Sequence, residues 1–236
     1  MILDVLPQRS DSAAGNMAAD FLLLQRYPDA GHARLRTYGW FRPAFTFGVS
    51  QKIAWVRTQL PLDEPVELAR RPTGGGLVDH RDDWTYALVI PRGHALYDAR
   101  AIESYRTVHE ALVAALHDLG VPARLQPPPT DKTTRDAAAG ACFQRPESFD
   151  VIRPNDGAKI AGAAQKRNKR GLLVQGSLWR PTAGGPDGDE LGERFSQHLA
   201  ERLGASHRAT PWPDYGEDEL SATAEQFASP EWTEQR

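Results

Sequence analysis

The chain has 236 residues, 40% of them hydrophobic and 25% charged, with a net charge of −3. That is enough for one large domain or two small ones of ordinary globular composition, and it excludes the strongly basic balance of a nucleic-acid binder. No apolar run is long enough to span a membrane, and MILDVLPQRSDSAAGN lacks the basic start and apolar core of a secretory signal. Cys142 is the only cysteine, so no intramolecular disulfide and no zinc site of several thiolates can form. A reducing, cytoplasmic setting is the expectation.

In chain order, GNMAADFLLLQRY reads as an amphipathic helix, with Met17, Phe21 and Leu24 on one face. RLRTYGW and FTFGVSQ read as strands split by a proline turn, VELARRPT as a third and DDWTYALVIP as a fourth. Asp98 to Gly120 is the clearest helix, marked by Ile102, Tyr105, Val108, Leu112, Ala115 and Leu119 and stopped by Gly120 and Pro122. LQPPPTDKTTRDAAAGA then reads as a long mobile loop. Asn155-Asp156-Gly157 is a turn signal between two strand-like runs and predicts a β-hairpin. GLLVQGSLWRP is a further strand. Leu191, Phe195, Leu199 and Leu203 recur every four residues in a helix ending at Gly204, and Glu217 to Phe227 is a weaker one. With no repeat and no linker, the order predicts a single α/β domain of the α+β type, a mixed, largely antiparallel sheet flanked by helices.

Three segments carry candidate chemistry. In RRPTGGGLVDH, Arg70 and Arg71 precede Gly74, Gly75 and Gly76, with His80 close behind. The pattern fits neither a GxxxxGK[ST] phosphate loop nor GxGxxG. It reads as a strand end where backbone can approach a ligand, with one arginine on the ligand side and the other on the opposite face. A guanidinium there suits a carboxylate or phosphate; a glycine-rich turn with solvated arginines is the plainer alternative. In GAKIAGAAQKRNKRG, Lys159 is flanked by small residues that leave room for a long ligand, and its ammonium can stabilise charge on a carbonyl oxygen. Lys166 and Lys169 read as a solvated turn, with docking of an acidic partner as the alternative. In ACFQRPESFD, Cys142 becomes a nucleophile where a nearby cation favours its thiolate, although lone cysteines are more often inert. The histidines at 32, 94, 109, 117, 198 and 207 show no metal-ligand spacing.

Together these segments resemble the lipoate–protein ligase and octanoyltransferase family, whose catalytic domain shares its architecture with biotin–protein ligases. RRPTGGGLVDH matches RRxTGGGxVxH, KIAGAAQ matches KIxGxAQ, and GNMAAD and TYALVIP fall where that family has an Asn-Met-Ala helix and a Thr-Tyr strand. The resemblance runs from about Asn16 to Ser177. It implies the biotin/lipoate-ligase catalytic fold, with Lys159 contacting the acyl carbonyl. Arg70, Arg71, Thr73, Gly74, Gly75, Gly76 and His80 would wall the pocket, and Gly162 and Ala164 would line it. ACFQRPESFDVI resembles the Cys-Phe element of the cysteine-dependent octanoyltransferases, with Cys142 at the nucleophile position.

That branch implies transfer of octanoyl or lipoyl from an acyl carrier protein or another lipoyl-domain protein to a lysine of an acceptor lipoyl domain, without a cofactor. His80 is the candidate base for the acceptor amine. The rival is a ligase that takes free lipoate or octanoate with ATP and Mg; a non-catalytic acyl binder is the rival from another class. A biotin ligase would carry GRGRxxR instead. Two positions depart from the pattern: Gln175-Gly176 stands where a His-Gly pair is common, and Phe21 stands where an acidic residue commonly follows Asp20. Neither nucleic acid nor membrane is an expected partner.

Overall fold

The computed structural model describes residues 1–129 and 146–235. Strand β1 (Ile2–Asp11) leads into helix α1 (Ala13–Gln25), whose first turn is capped by Ser12 Oγ accepting from the Gly15 N–H at 3.0 Å. Such a cap is worth about 1 kcal/mol. Then come β2 (Ala33–Trp40), β3 (Ala44–Phe47), the short α2 (Ile53–Arg57), β4 (Glu67–Arg70), β5 (Leu77–Asp79) and β6 (Asp83–Pro91). A turn of helix, α3 (Ala95–Asp98), precedes α4 (Ala101–Asp118). Strands β7 (Arg124–Leu125), β8 (Val151–Ile152), β9 (Lys159–Arg167) and β10 (Gly171–Trp179) follow. The chain ends with α5 (Arg180–Ala183), α6 (Gly188–Leu203), β11 (Ser206–Ala209), α7 (Glu217–Ala228) and α8 (Pro230–Thr233).

The larger sheet has the order β11-β1-β2-β6-β10-β9-β8-β7; its β11–β1 and β1–β2 pairings are parallel and the rest antiparallel. A second sheet, β4-β3-β5, pairs β3 parallel to β4 and antiparallel to β5. The mixed, largely antiparallel sheet with flanking helices is therefore present. The expected hairpin is also there: β8 and β9 pair across Asn155-Asp156-Gly157, with Gly157 at φ 72°.

Alternation along β6 sorts the interior into two faces. Trp84, Tyr86, Leu88 and Ile90 pack against Val108, Leu112 and Ala115 of α4 and Leu191, Phe195 and Leu199 of α6. Each large side chain fully buried there contributes about 1.5–3 kcal/mol. Ala87 and Val89 turn to the other face and join Leu6, Leu23, Leu24 and Leu173. This second face also carries the small sheet and α1, and the space between them is the candidate site.

The structure differs from the sequence reading in places. FTFGVSQ is a strand only as far as Phe47, and residues 2–11 and 206–209 form strands with no alternating signal. Pro7 explains the first of these. Between Leu6 and Arg9 the β1 register slips by one residue against β2, and a proline, lacking an N–H, is tolerated at such a bulge. Among the described residues, no helix is long and apolar enough to cross a membrane.

Candidate functional site

A narrow cleft, partly open to solvent, lies between the β6–β10–β9 part of the large sheet and the small sheet. Met17 of α1, Trp40, Thr46, Val78 and Thr85 form part of its wall. Gly162, Ala163 and Ala164 of β9 and Gly176 of β10 supply the small positions. Tyr38, Arg71, His80, Lys159, Gln175 and Ser177 are its other polar lining groups.

Lys159 stands at the start of β9, and its side chain is 4% exposed. Its Nζ lies 2.8 Å from Asp150 Oδ2, which also accepts the Glu147 N–H at 2.7 Å. The other oxygen, Asp150 Oδ1, accepts the Tyr105 hydroxyl, and the Tyr105 oxygen accepts the Ala163 N–H at 3.0 Å. Gly162 leaves room for this pair, since a Cβ there would lie 2.7 Å from both Lys159 Cε and Nζ. Asp150 was not singled out from sequence. The hairpin register could have found it: Val151 pairs with Ala161, so the residue before it falls beside Gly162.

Asp150 is held from behind. Phe149 has φ 67°, the only positive value at a non-glycine among the described residues, a conformation costing about 1–3 kcal/mol. Its N–H donates to Gln126 O at 2.8 Å, and its carbonyl accepts from His109 Nδ1 at 2.7 Å. Burial lowers the His109 pKa to about 4. Because that lies below the ordinary value near 6.5, the unfolded chain takes the proton first. The His109 contribution to stability is whole above about pH 6.5 and is lost as pH falls to about 4, on the order of 3 kcal/mol in all. Urea midpoints of the wild type should fall across this window and those of His109→Asn should fall less. Parallel curves would show that His109 does not titrate there.

The arginines part company, as strand alternation requires. Arg71 enters the cleft, where Nη1 donates to Thr46 Oγ1 at 2.8 Å and Nη2 to the carbonyls of Gly74 and Gly76, each at 2.9 Å. Arg70 points away from the cleft and is fully buried. Its guanidinium donates to the backbone carbonyls of Val49, Gln51, Thr233 and Gln235. Arg70 is thus placed as a clasp on the C-terminal segment and is not among the residues that line the cleft.

His80 is stacked on Trp40, with ring centroids 4.2 Å apart. Its Nδ1 donates to Asp83 Oδ2 at 2.6 Å, and in the neutral ring Nε2 accepts the Thr46 hydroxyl at 2.6 Å. Asp83 Oδ2 also accepts from Thr85 and Ser177, at 2.8 and 2.6 Å. Asp83, His80, Thr46 and Arg71 therefore form one chain that ends on the glycine-loop carbonyls. With both ring nitrogens engaged, His80 can act as a base only after Thr46 turns away.

Thr73, Gly74, Gly75 and Gly76, expected as pocket wall, are not among the residues that line the cleft. Thr73 donates to Gln175 Oε1 at 2.7 Å, and Gln175 Nε2 donates to Asp20 Oδ2 at 2.6 Å. Asp20 also accepts from Arg36 Nε and the Tyr38 hydroxyl, at 2.6 and 3.1 Å. Gln175 is thus a bridge from α1 to the glycine loop. Phe21, the other departure, packs edge-on against Phe227 of α7 at 5.8 Å. Gly75 takes a left-handed φ of 87°. Cys142 lies outside the described residues.

The cleft is thus mostly apolar and has a buried lysine at its floor, on a mixed sheet. A putative lipoate protein ligase from T. acidophilum, solved with bound lipoic acid, superposes with a TM-score of 0.70 over 99% of both chains at 18% identity. A lipoate–protein ligase A bound with ATP does so at 0.68 over 99% of both chains, also at 18% identity. At such identity the likeness speaks for the fold. Residues 12–192 match the lipoyl protein ligase A/B catalytic domain, and the chain belongs to that family. It is 29% identical over 198 residues to the octanoyltransferase LipM of Halalkalibacterium halodurans, covering 80% of this chain and 70% of that one. It is 33% identical over 176 residues to LipM of Kyrpidia tusciae, covering 71% and 62% respectively. The match thus spans about two thirds of the length of these curated relatives.

Proposed function

We propose that this protein is an acyltransferase that moves an octanoyl or lipoyl group from a carrier thioester to a lysine of a lipoyl domain, through a thioester on Cys142. The observation that carries the reading is the Lys159 ammonium, held by Asp150 at the floor of a cleft walled by Gly162, Ala163 and Ala164. In this reading the acyl chain lies along those small residues with its carbonyl at the ammonium. The relatives named octanoyltransferase support the same chemistry.

The Cys142 thiolate attacks the donor carbonyl, and the carrier thiolate leaves and takes up a proton. The acceptor amine then attacks the enzyme thioester; the Cys142 thiolate leaves and the amine gives up a proton. Lys159 and the N–H groups of the glycine loop would stabilise the oxyanion in both steps. The ligase alternative asks Arg70 and Arg71 to grip an adenylate. Arg70 is spent on four backbone carbonyls and Arg71 on Thr46 and the glycine loop, which favours transfer without ATP or Mg.

Mass spectrometry after incubation with octanoyl-carrier protein should show a hydroxylamine-sensitive octanoyl adduct on the wild type and none on Cys142→Ser. Transfer by Cys142→Ser at the wild-type rate would sink the thioester route, and adenylate formation from lipoate and ATP would replace it with the ligase.

A further inference from the structure

The turn between β9 and β10 carries KRNKR, four cations in five residues, in a chain whose 31 acidic residues outnumber its 28 lysines and arginines. The turn is held in one shape. Asn168 Oδ1 accepts the Arg170 and Gly171 N–H groups at 2.8 and 3.3 Å, and the Tyr97 hydroxyl donates to the Asn168 carbonyl at 2.9 Å. Arg167 is part of this brace, since it donates to Ala99 O and lies over the Tyr97 ring. Lys166, Lys169 and Arg170 are exposed. So is Arg92, which follows Pro91, the residue paired with Gly171.

Among the described residues, none of these four is in an ion pair, whereas other exposed arginines, such as Arg57, Arg81, Arg106 and Arg153, face carboxylates within 2.8 Å. Arg9, Arg42, Lys52 and Arg124 are exposed outside the ion pairs too, but they stand singly, whereas these four cations cluster at one tip. A preorganised cluster of like charge attracts a partner of opposite charge and orients it on approach.

We infer that the β9–β10 tip is the docking surface for the acidic carrier protein that delivers the acyl thioester. The inference rests on the octanoyl-transfer reading and adds where the donor sits. Gly162, Ala164 and Lys166 alternate onto one face of β9, so Lys166 stands about 7 Å beyond the cleft wall at Ala164. Lys159 is seven residues back, about 23 Å along the strand. A donor whose thioester ends a long flexible prosthetic arm can rest on the tip while the arm runs along β9 to Lys159. An acceptor lysine, with only its own side chain to span the gap, has to bring its domain closer to the reacting carbon.

The test is the full chain carrying Lys166→Glu, Lys169→Glu and Arg170→Glu, assayed with octanoyl-carrier protein and with octanoyl-pantetheine, a neutral thioester. The carrier KM should rise about tenfold or more at low salt and approach wild type at high salt. The kcat, the constants for octanoyl-pantetheine and the acceptor KM should not change. An unchanged carrier KM, or a change that falls on the acceptor, overturns the assignment. If the wild type transfers from neither thioester, the transfer reading fails by itself. Calorimetric titration with the carrier protein then decides the surface: binding weakened by the triple variant supports it, and equal or absent binding overturns it.

Discussion

Lys159→Met is expected to reduce octanoyl transfer by about 10²–10³-fold, the usual loss when one oxyanion-stabilising group is removed. The same change should lower stability by about 3–5 kcal/mol, because Asp150 stays buried without its cation. Asp150 keeps the Tyr105 hydroxyl and the Glu147 N–H, which places the loss toward the lower end. Adding Asp150→Asn removes the stranded charge. The double variant should regain most of the stability in a urea titration while its single-turnover rate stays down. Recovery of both would make the pair a structural one. Full activity in the single variant would move the reacting carbonyl away from Lys159.

The two halves of this pair were unequally visible in the sequence. Lys159 stood out because its neighbours are small and because KIAGAAQ is a contiguous motif. Asp150 did not, since its importance comes from the pairing of β8 with β9 and from a strained Phe149 whose support, His109, is distant in sequence. A similar split holds for the fold. The helices over 101–118 and 188–203 and the strands over 83–91 and 171–179 each carry a full period of buried residues and were legible. β11 has no buried residue, and β1 is interrupted at Pro7, so neither gave a periodic signal. Arg70 and Arg71 show the limit of motif reading. Adjacent residues of one signature end on opposite sides of a strand, one in the cleft and one clasping the C-terminal segment.

Gly48 was also silent in the sequence, read simply as part of a strand, and its replacement tests the glycine loop from outside. A Cβ at Gly48 would lie 2.2 Å from the Gly75 carbonyl oxygen and 2.6 Å from the Gly74 carbonyl carbon. Both are backbone atoms, so no side chain can swing aside. In Gly48→Ala the loop has to retreat, and its retreat pulls on the Gly74 and Gly76 carbonyls that Arg71 holds. Overpacking of this kind costs about 1–3 kcal/mol. A displacement of about 1 Å at groups that position the reacting carbonyl costs on the order of 10²-fold in rate. Gly48→Ala should therefore remain folded while losing octanoyl transfer, with Lys159 and Asp150 untouched. Gly74→Ala is the control, because nothing lies within 4 Å of the Cβ it would add; it should stay near wild-type stability. Wild-type transfer by Gly48→Ala would mean that the loop backbone does not meet the acyl group, leaving Lys159 as the oxyanion's main support.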